Sequence, residues 1–494
     1  MGFRRYLWVA VGLCASLFSA DAQASKIHLQ KSSSKSLPVT THSRQARKLF
    51  EKGMTELERW HQNDALADWR AATRADQNFA LAHLYVAYAT DNPDEESKEL
   101  TRAMQLARRT SEGEQLLIRW LSGVRHGDYV PAIAAMNDLL SLYPDDKRVD
   151  FIIGRWLLIE NRYEQAQLLL ERAVTADPDD AAAINLLGYA YAGRSNFEKA
   201  FAMMERYVAL QPDEPNPHDS YGEILRMAGR YDAALVQYRA SVKLDPEFGS
   251  TLGVADTLAL MGREQEARDE YERALLFVTS YSQRVGIETQ MAMTYVRENK
   301  PKLADHVLRG AARHAHQNGL GRAEAEAHRV MAMYEPEPVA ALRDLEDAEK
   351  TLNEHHQLLP ADRDDERALI LYTRVSRAAS DHRELAEKAV QQLQSMADTD
   401  RSRVVQHSWH AAQGAILVAE EKYAEAIPHL QEDDQNPLSL QLLWQAYNKT
   451  GQTAQADQVQ AVLAGCNQVT LEQALVVPHF REVVAEKEEH KLQP

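Results

Sequence analysis

The chain has 494 residues, a formal net charge of -17, 45% hydrophobic residues and 26% charged residues. That composition supplies ample apolar surface to bury and excludes general disorder. The acidic balance argues against nucleic acid and anionic lipid as partners, and only two cysteines, Cys14 and Cys466, exclude a disulfide framework. The length would suggest about three globular domains, but repeat proteins escape that rule because they grow by adding units to one elongated body.

The first residues run Arg4-Arg5, an apolar stretch from Tyr6 to Phe18, then Ser19-Ala20-Asp21-Ala22-Gln23-Ala24. Charge, apolar core and small residues in that order resemble a secretory signal peptide cut after Ala24. The apolar stretch is too short for a transmembrane helix, and no later stretch is long and apolar enough to replace it. An exported chain, periplasmic or secreted, with no integral membrane segment in its mature form is therefore expected. The arginine pair also suits twin-arginine export, and Cys14 a lipid anchor, although Leu13 is a poor fit to the small residue such a site needs. Residues 25–43, with four serines between Lys31 and Ser36, read as a flexible lead-in.

Beyond the lead-in, Pro144, Pro178, Pro212 and Pro246 recur every 34 residues. Proline cannot continue a helix, so these mark helix ends at a fixed period. Gly154, Gly188 and Gly222 share the period, as do Ala166, Ala200 and Ala234, and the aromatic residues Tyr163, Phe197 and Tyr231. Small residues allow two antiparallel helices to approach closely, and the aromatic ring fills the space between units. Over residues 181–212, Ile184, Leu187, Tyr191, Phe197, Ala200, Met204 and Tyr207 keep helical spacing around a turn at Gly193-Arg194-Ser195-Asn196.

At these residues the chain resembles the tetratricopeptide repeat, whose 34-residue unit has small residues at its eighth and twentieth positions and proline near its end. The match is fullest over 147–246. Spaced pairs such as Gly53 with Ala65, Ala255 with Ala267, Ala292 with Ala304 and Gly414 with Ala426 extend the pattern to about twelve units. The resemblance implies an all-α, right-handed solenoid of antiparallel helix pairs. Its expected divisions are a repeat array over 44–318, an irregular connection over 319–360 that could separate two lobes, a second array over 361–465, and a helical segment with a charged tail over 466–494.

The resemblance further implies that the first helix of each unit lines a concave groove able to bind an extended peptide. In the best-defined units its groove positions include Arg148, Phe151 and Arg155, then Asn185 and Tyr189, then Asn216, Asp219, Glu223 and Arg226. Some family members clamp a peptide's C-terminal carboxylates with a Lys-Asn-Asn-Lys-Arg set. This sequence departs from it, with Phe151 where the first lysine would stand and Arg155 where the next asparagine would.

Catalytic motifs are missing from the sequence: there is no phosphate-cradling glycine loop, no Gly-x-Ser-x-Gly and no His-Glu-x-x-His. His407 and His410 could share a helix face, but no carboxylate or cysteine completes a metal set in the same turn. Asp145-Asp146 and Asp179-Asp180 suit helix starts, where acidic side chains accept free amide protons. No catalytic residue, cofactor or metal is expected. The reading is an exported scaffold or adaptor for a protein or peptide partner, with a structural part of an envelope or secretion assembly as the alternative and an enzyme built between lobes as a more remote one.

Overall fold

A computed structural model describes residues 36–492 except His356, with side chains as far as Ala485. The proposed leader and cleavage site, with Cys14, lie outside the described residues. Among them the regular structure is helical throughout: twenty-five α-helices, a single 3-10 turn at Ala107–Arg109 and no strand.

The helices form twelve antiparallel pairs in chain order. These are α1 (Arg44–Glu58) with α2 (Gln62–Ala75), α3 (Ala80–Ala89) with α4 (Pro93–Leu106), α5 (Glu112–Arg125) with α6 (Tyr129–Leu142), and α7 (Lys147–Ile159) with α8 (Tyr163–Ala176). Next come α9 (Ala181–Gly193) with α10 (Phe197–Leu210), α11 (Pro215–Met227) with α12 (Tyr231–Leu244), α13 (Thr251–Leu260) with α14 (Glu264–Leu275), and α15 (Tyr281–Arg297) with α16 (Pro301–Gln317). The last four are α17 (Gly321–Tyr334) with α18 (Pro338–Glu354), α19 (Pro360–Ala378) with α20 (Arg383–Thr399), α21 (Arg403–Ala419) with α22 (Tyr423–Glu432), and α23 (Pro437–Lys449) with α24 (Thr453–Ala464). A final helix, α25 (Leu471–Leu492), closes the series.

The periodic residues do the packing expected of them. A Cβ on Gly154 would lie 2.8 Å from Leu170, one on Gly222 2.9 Å from the Tyr238 ring, and one on Gly414 2.5 Å from Leu430. Ala166, Ala200 and Ala234, on the facing helices, are completely buried. The prolines at 144, 178, 212 and 246 each follow a helix end by two residues, and Asp146 and Asp180 accept amide protons at the next helix starts.

Nine of the twelve turns inside pairs contain a left-handed residue, Asn161, Ser195 and Gly229 among them at the 34-residue period. The following amide then bonds back five residues, as Asn196 does to Tyr191 and Arg230 to Leu225. This is the glycine-type helix ending. Gly193 lies inside the helix and is not itself the left-handed residue: it gives way to the Tyr163 ring of the preceding unit.

Two expectations are corrected. The end of the lead-in, residues 36–43, is tied down: Leu37 and Val39 are buried, the Leu37 amide donates to Asp146 (2.6 Å), and the Thr40 amide donates to Glu114 (2.8 Å). Two apolar side chains and a run of carboxylate acceptors outweigh the polar serine-rich composition before them. The stretch 319–360 holds a complete pair, α17 and α18, because Pro338 and Pro360 sit at the first position of a helix, where proline is tolerated.

The solenoid winds tightly enough for distant units to meet. Arg59 and His61 each approach Glu214 to 3.8 Å, Arg125 meets Asp362 at 2.6 Å, and Asn161 donates to Gln435 at 3.3 Å. Farther along, Arg226 and Tyr231 donate to Asn467.

Two substitutions separate packing from turn chemistry. Gly222→Ala gains about 1 kcal/mol of helix propensity but forces a methyl onto a buried ring, an overpacking cost of about 1–3 kcal/mol. A net loss of roughly 1 kcal/mol is expected by urea denaturation. Ser195→Gly relieves a positive φ of 57° and should stabilise by about 0.5–1 kcal/mol. A stabilised Gly222→Ala would refute the close-approach account.

Candidate functional site

The inner face of units one to six is built from the first helix of each pair, and the nine expected groove residues all lie on α7, α9 and α11. Most of them are covered by other parts of the chain. Phe151, Arg155, Asn185, Tyr189, Asn216, Asp219 and Arg226 are buried, and only Arg148 and Glu223 are half-buried.

The covering groups come from neighbouring units and from the far end of the chain. Arg155 lies under the Trp60 indole, 4.6 Å from its centroid, and burial lowers its guanidinium to about 10. Trp60 adopts a φ of 67°, a conformation uncommon for a bulky side chain, which places its ring there. The Tyr189 hydroxyl donates to Glu223 (2.7 Å), Asn216 donates to Tyr207 (2.7 Å), and Asp219 accepts from Ser250 of the next unit (2.6 Å). Arg226 donates to the Asn467 carbonyl (3.3 Å), so the chain's own segment between α24 and α25 occupies that end. Arg148 is ion-paired with Glu51. Asn185 is fully buried, and among the described residues neither atom of its side-chain amide has a hydrogen-bond partner.

Beside Arg155 the winding leaves a space that the periodic pattern does not mark. A cavity of about 430 Å³ lies between the turn carrying α3, α5 and α7 and the turn carrying α17, α19 and α21. A smaller apolar one, about 70 Å³, adjoins it; the two share Gln62, Tyr88, Ala89, Trp156 and Ile159. Trp156 is braced edge-on by Trp120 at 5.8 Å.

Across the larger cavity Asp362 accepts from both Arg125 and Arg322, Arg125 also binds Glu96, and Arg329 binds Glu366 (2.7 Å). Asp365 accepts from Ser402 (2.5 Å). Burial pushes its carboxyl up to about 7 and also raises Glu96 and Glu160, against the pull of Arg125 and Arg403 respectively. Sequence reasoning missed this cluster because its two halves, joined at Arg125 and Asp362, meet across 237 residues through the superhelical return alone.

Among the described residues two side-chain groups bring three metal-ligating atoms together: Glu56, His61 and Asp64, and His328, Asp344 and Asp347. His61 already meets Glu56 at 3.2 Å, and Arg309 stands 3.9 Å from Asp344, a charge that opposes a cation. His407 faces Asp433 from a neighbouring helix end (3.3 Å), and the Nδ1 atoms of His410 and His429 are 3.1 Å apart. Cys466 is partly buried, and burial pushes its thiol up.

The two kinds of titrating group act oppositely on stability. Asp365 has a folded-state pKa above its ordinary 3.8, so its contribution is present at low pH and lost as pH rises through about 7. His410 and His429 lie below their ordinary 6.5, both chiefly through burial; their contribution is present above that value and lost as pH falls through the lowered ones. Asp365→Asn should therefore raise stability at pH 8 by roughly 1–3 kcal/mol and by clearly less at pH 5, where only part of the window above 3.8 has been crossed. His429→Gln should flatten the decline below pH 6. Thermal melts from pH 5 to 8 test both, and equal shifts at the two pH values would sink the assignment.

Comparison with known proteins supplies a family. Two tetratricopeptide-repeat models match, over residues 157–223 and 222–283. A search of curated proteins finds no match. Similar solved structures include yeast Tom70, with 14% identity over 83% of this chain and 96% of that one and a TM-score of 0.42. The Cut9-Hcn1 hetero-tetramer of APC/C gives 15% identity over 81% and 76%, with a TM-score of 0.41. MamA from Desulfovibrio magneticus RS-1 gives 22% over 42% and 98%, with a TM-score of 0.23. The fold rests on the helix pairs themselves and on the family models, not on these superpositions.

Proposed function

Because the chain is a tetratricopeptide-repeat protein, a scaffold for protein interactions, we propose that it is exported and that it binds a protein or peptide partner through the inner face of its superhelix. The carrying observation is the concentration of aromatic, arginine and carboxylate side chains on that face beside a cavity between turns. Such a mixture gives a peptide backbone and its side chains polar and apolar contacts together.

Buried groove residues alter how the face would work. A partner cannot lie along an open row of side chains; it reaches half-buried groups such as Arg148, Trp156 and Glu223. The leader over residues 1–24 supports export. Among the described residues no helix is long and apolar enough to cross a membrane.

Affinity capture from native envelope and extracellular fractions tests the reading, using the chain from Ser25, an inner-face variant and an outer-face variant. Arg148→Ala with Trp156→Leu should lose the partner at least tenfold. Leu168→Glu with Val236→Glu, at sites 65% and 66% exposed on the outer helices, should retain it. Loss by the outer variant alone would move the interface off the inner face. Separately, the native full-length gene product isolated from those fractions should begin at Ser25; a native chain there beginning at Met1 would refute leader cleavage.

A further inference from the structure

The cavity between turns has an unbalanced charge. Seven of its lining side chains are carboxylates and four are arginines. Three of the arginines are held in ion pairs: Arg125 with Glu96 and Asp362, Arg322 with Asp362, and Arg329 with Glu366. The fourth, Arg403, acts on Glu160.

Asp365 is left with a hydroxyl. It is 8% exposed, its hydrogen bond comes from Ser402, and the cation that acts on it, Arg322, is held in an ion pair with Asp362. A buried carboxylate that only shares a countercharge is costly, and a proton or a further cation relieves it. The carboxyl is accordingly held at about 7, chiefly by burial.

A metal ion does not fit this deficit. The groups among the described residues that converge closely enough for one lie elsewhere, at His61 and His328. The walls suit an organic cation better: Tyr88 and Trp156 offer aromatic faces, Leu358 and Leu359 apolar contact, and the volume falls within the roughly 300–1,000 Å³ of small-ligand pockets. Guanidinium or ammonium groups on apolar stems pair such surfaces with a carboxylate.

We infer that this cavity receives a basic side chain of the partner, an arginine or lysine, with Asp365 as counter-ion and the Trp156 and Tyr88 rings against its stem. The inference rests on the scaffold reading above and names the chemistry of the partner. The acidic body, at -18 after loss of a leader carrying +1, draws basic segments toward it.

The test is calorimetric titration of the chain from Ser25 with acetyl-Gly-Arg-Gly-amide, the glutamine analogue and free methylguanidinium, at pH 8 and pH 5.5. The arginine peptide should bind saturably at pH 8, at least tenfold tighter than the glutamine peptide, and weaken at pH 5.5 as Asp365 takes a proton. Asp365→Asn should reduce its affinity at least tenfold while melting no lower than the parent at pH 8, so the loss is not unfolding. Trp156→Leu should reduce affinity for the peptide more than for methylguanidinium.

Equal affinity for both peptides, undiminished binding by Asp365→Asn, or no binding by the folded parent up to millimolar peptide would overturn the inference. Methylguanidinium binding as tightly as the arginine peptide would overturn the peptide source and assign the pocket to a free small cation. A native partner captured equally by the parent and by Asp365→Asn would defeat the inference and leave the scaffold intact. Peptide binding with no captured partner would do the reverse to the scaffold reading.

Discussion

The distance between paired helices is set where a glycine or alanine on one helix meets a large side chain on the other, and the rest of the architecture depends on that contact. Gly222 against Tyr238 and Gly154 against Leu170 leave no room for a Cβ. Each pair is therefore close-packed, and each stacks on the next with a similar rotation. Repeated small rotations make a superhelix whose curvature is a sum over units. Here the sum brings distant units together, turn against turn at Asn161 and Gln435 and helix against helix at Arg125 and Asp362, and the inner face becomes a set of covered side chains with a cavity where packing is incomplete.

The contacts that join the turns are mostly polar. Arg125, Asp362, Arg322 and Glu96 form a shared network, and Arg226, Tyr231, Asn467 and Arg481 form another. Buried ion pairs add little net stability because desolvation offsets most of the Coulomb attraction, yet removing one partner leaves a stranded charge. Such networks fix register. They hold one turn at a defined height over the next while the apolar clusters within units supply most of the folding free energy.

Reading the sequence recovered what repeats locally and lost what the superhelix assembles. Gly188, Ala200 and Pro212 announce their roles through a 34-residue period because each contacts residues within its own unit or the next. Gly193 shows the limit: in sequence it reads as a turn residue, whereas in the fold it yields to Tyr163 and the left-handed position falls to Ser195. Leu37 and Val39 sit in a polar context that hides their burial. The groove positions on α7, α9 and α11 were legible as positions; their covers, Trp60 and Asn467, were not. Those contacts cross more than 90 and 240 residues respectively and leave no spacing signal.

The same reasoning explains why Asp362 and Asp365 look ordinary in sequence. Acidic side chains in the first turns of a helix suit its dipole, and α19 begins at Pro360, so both fit a purely local account. Their environment is set by Arg125 and Tyr129, which arrive from a unit more than 200 residues earlier. A dipole preference explains why carboxylates are tolerated there. It does not explain why Asp365 is buried against a hydroxyl while the neighbouring arginines are committed elsewhere. The residual negative charge belongs to the meeting of two turns, and that meeting gives this chain a chemical feature its repeat pattern does not specify.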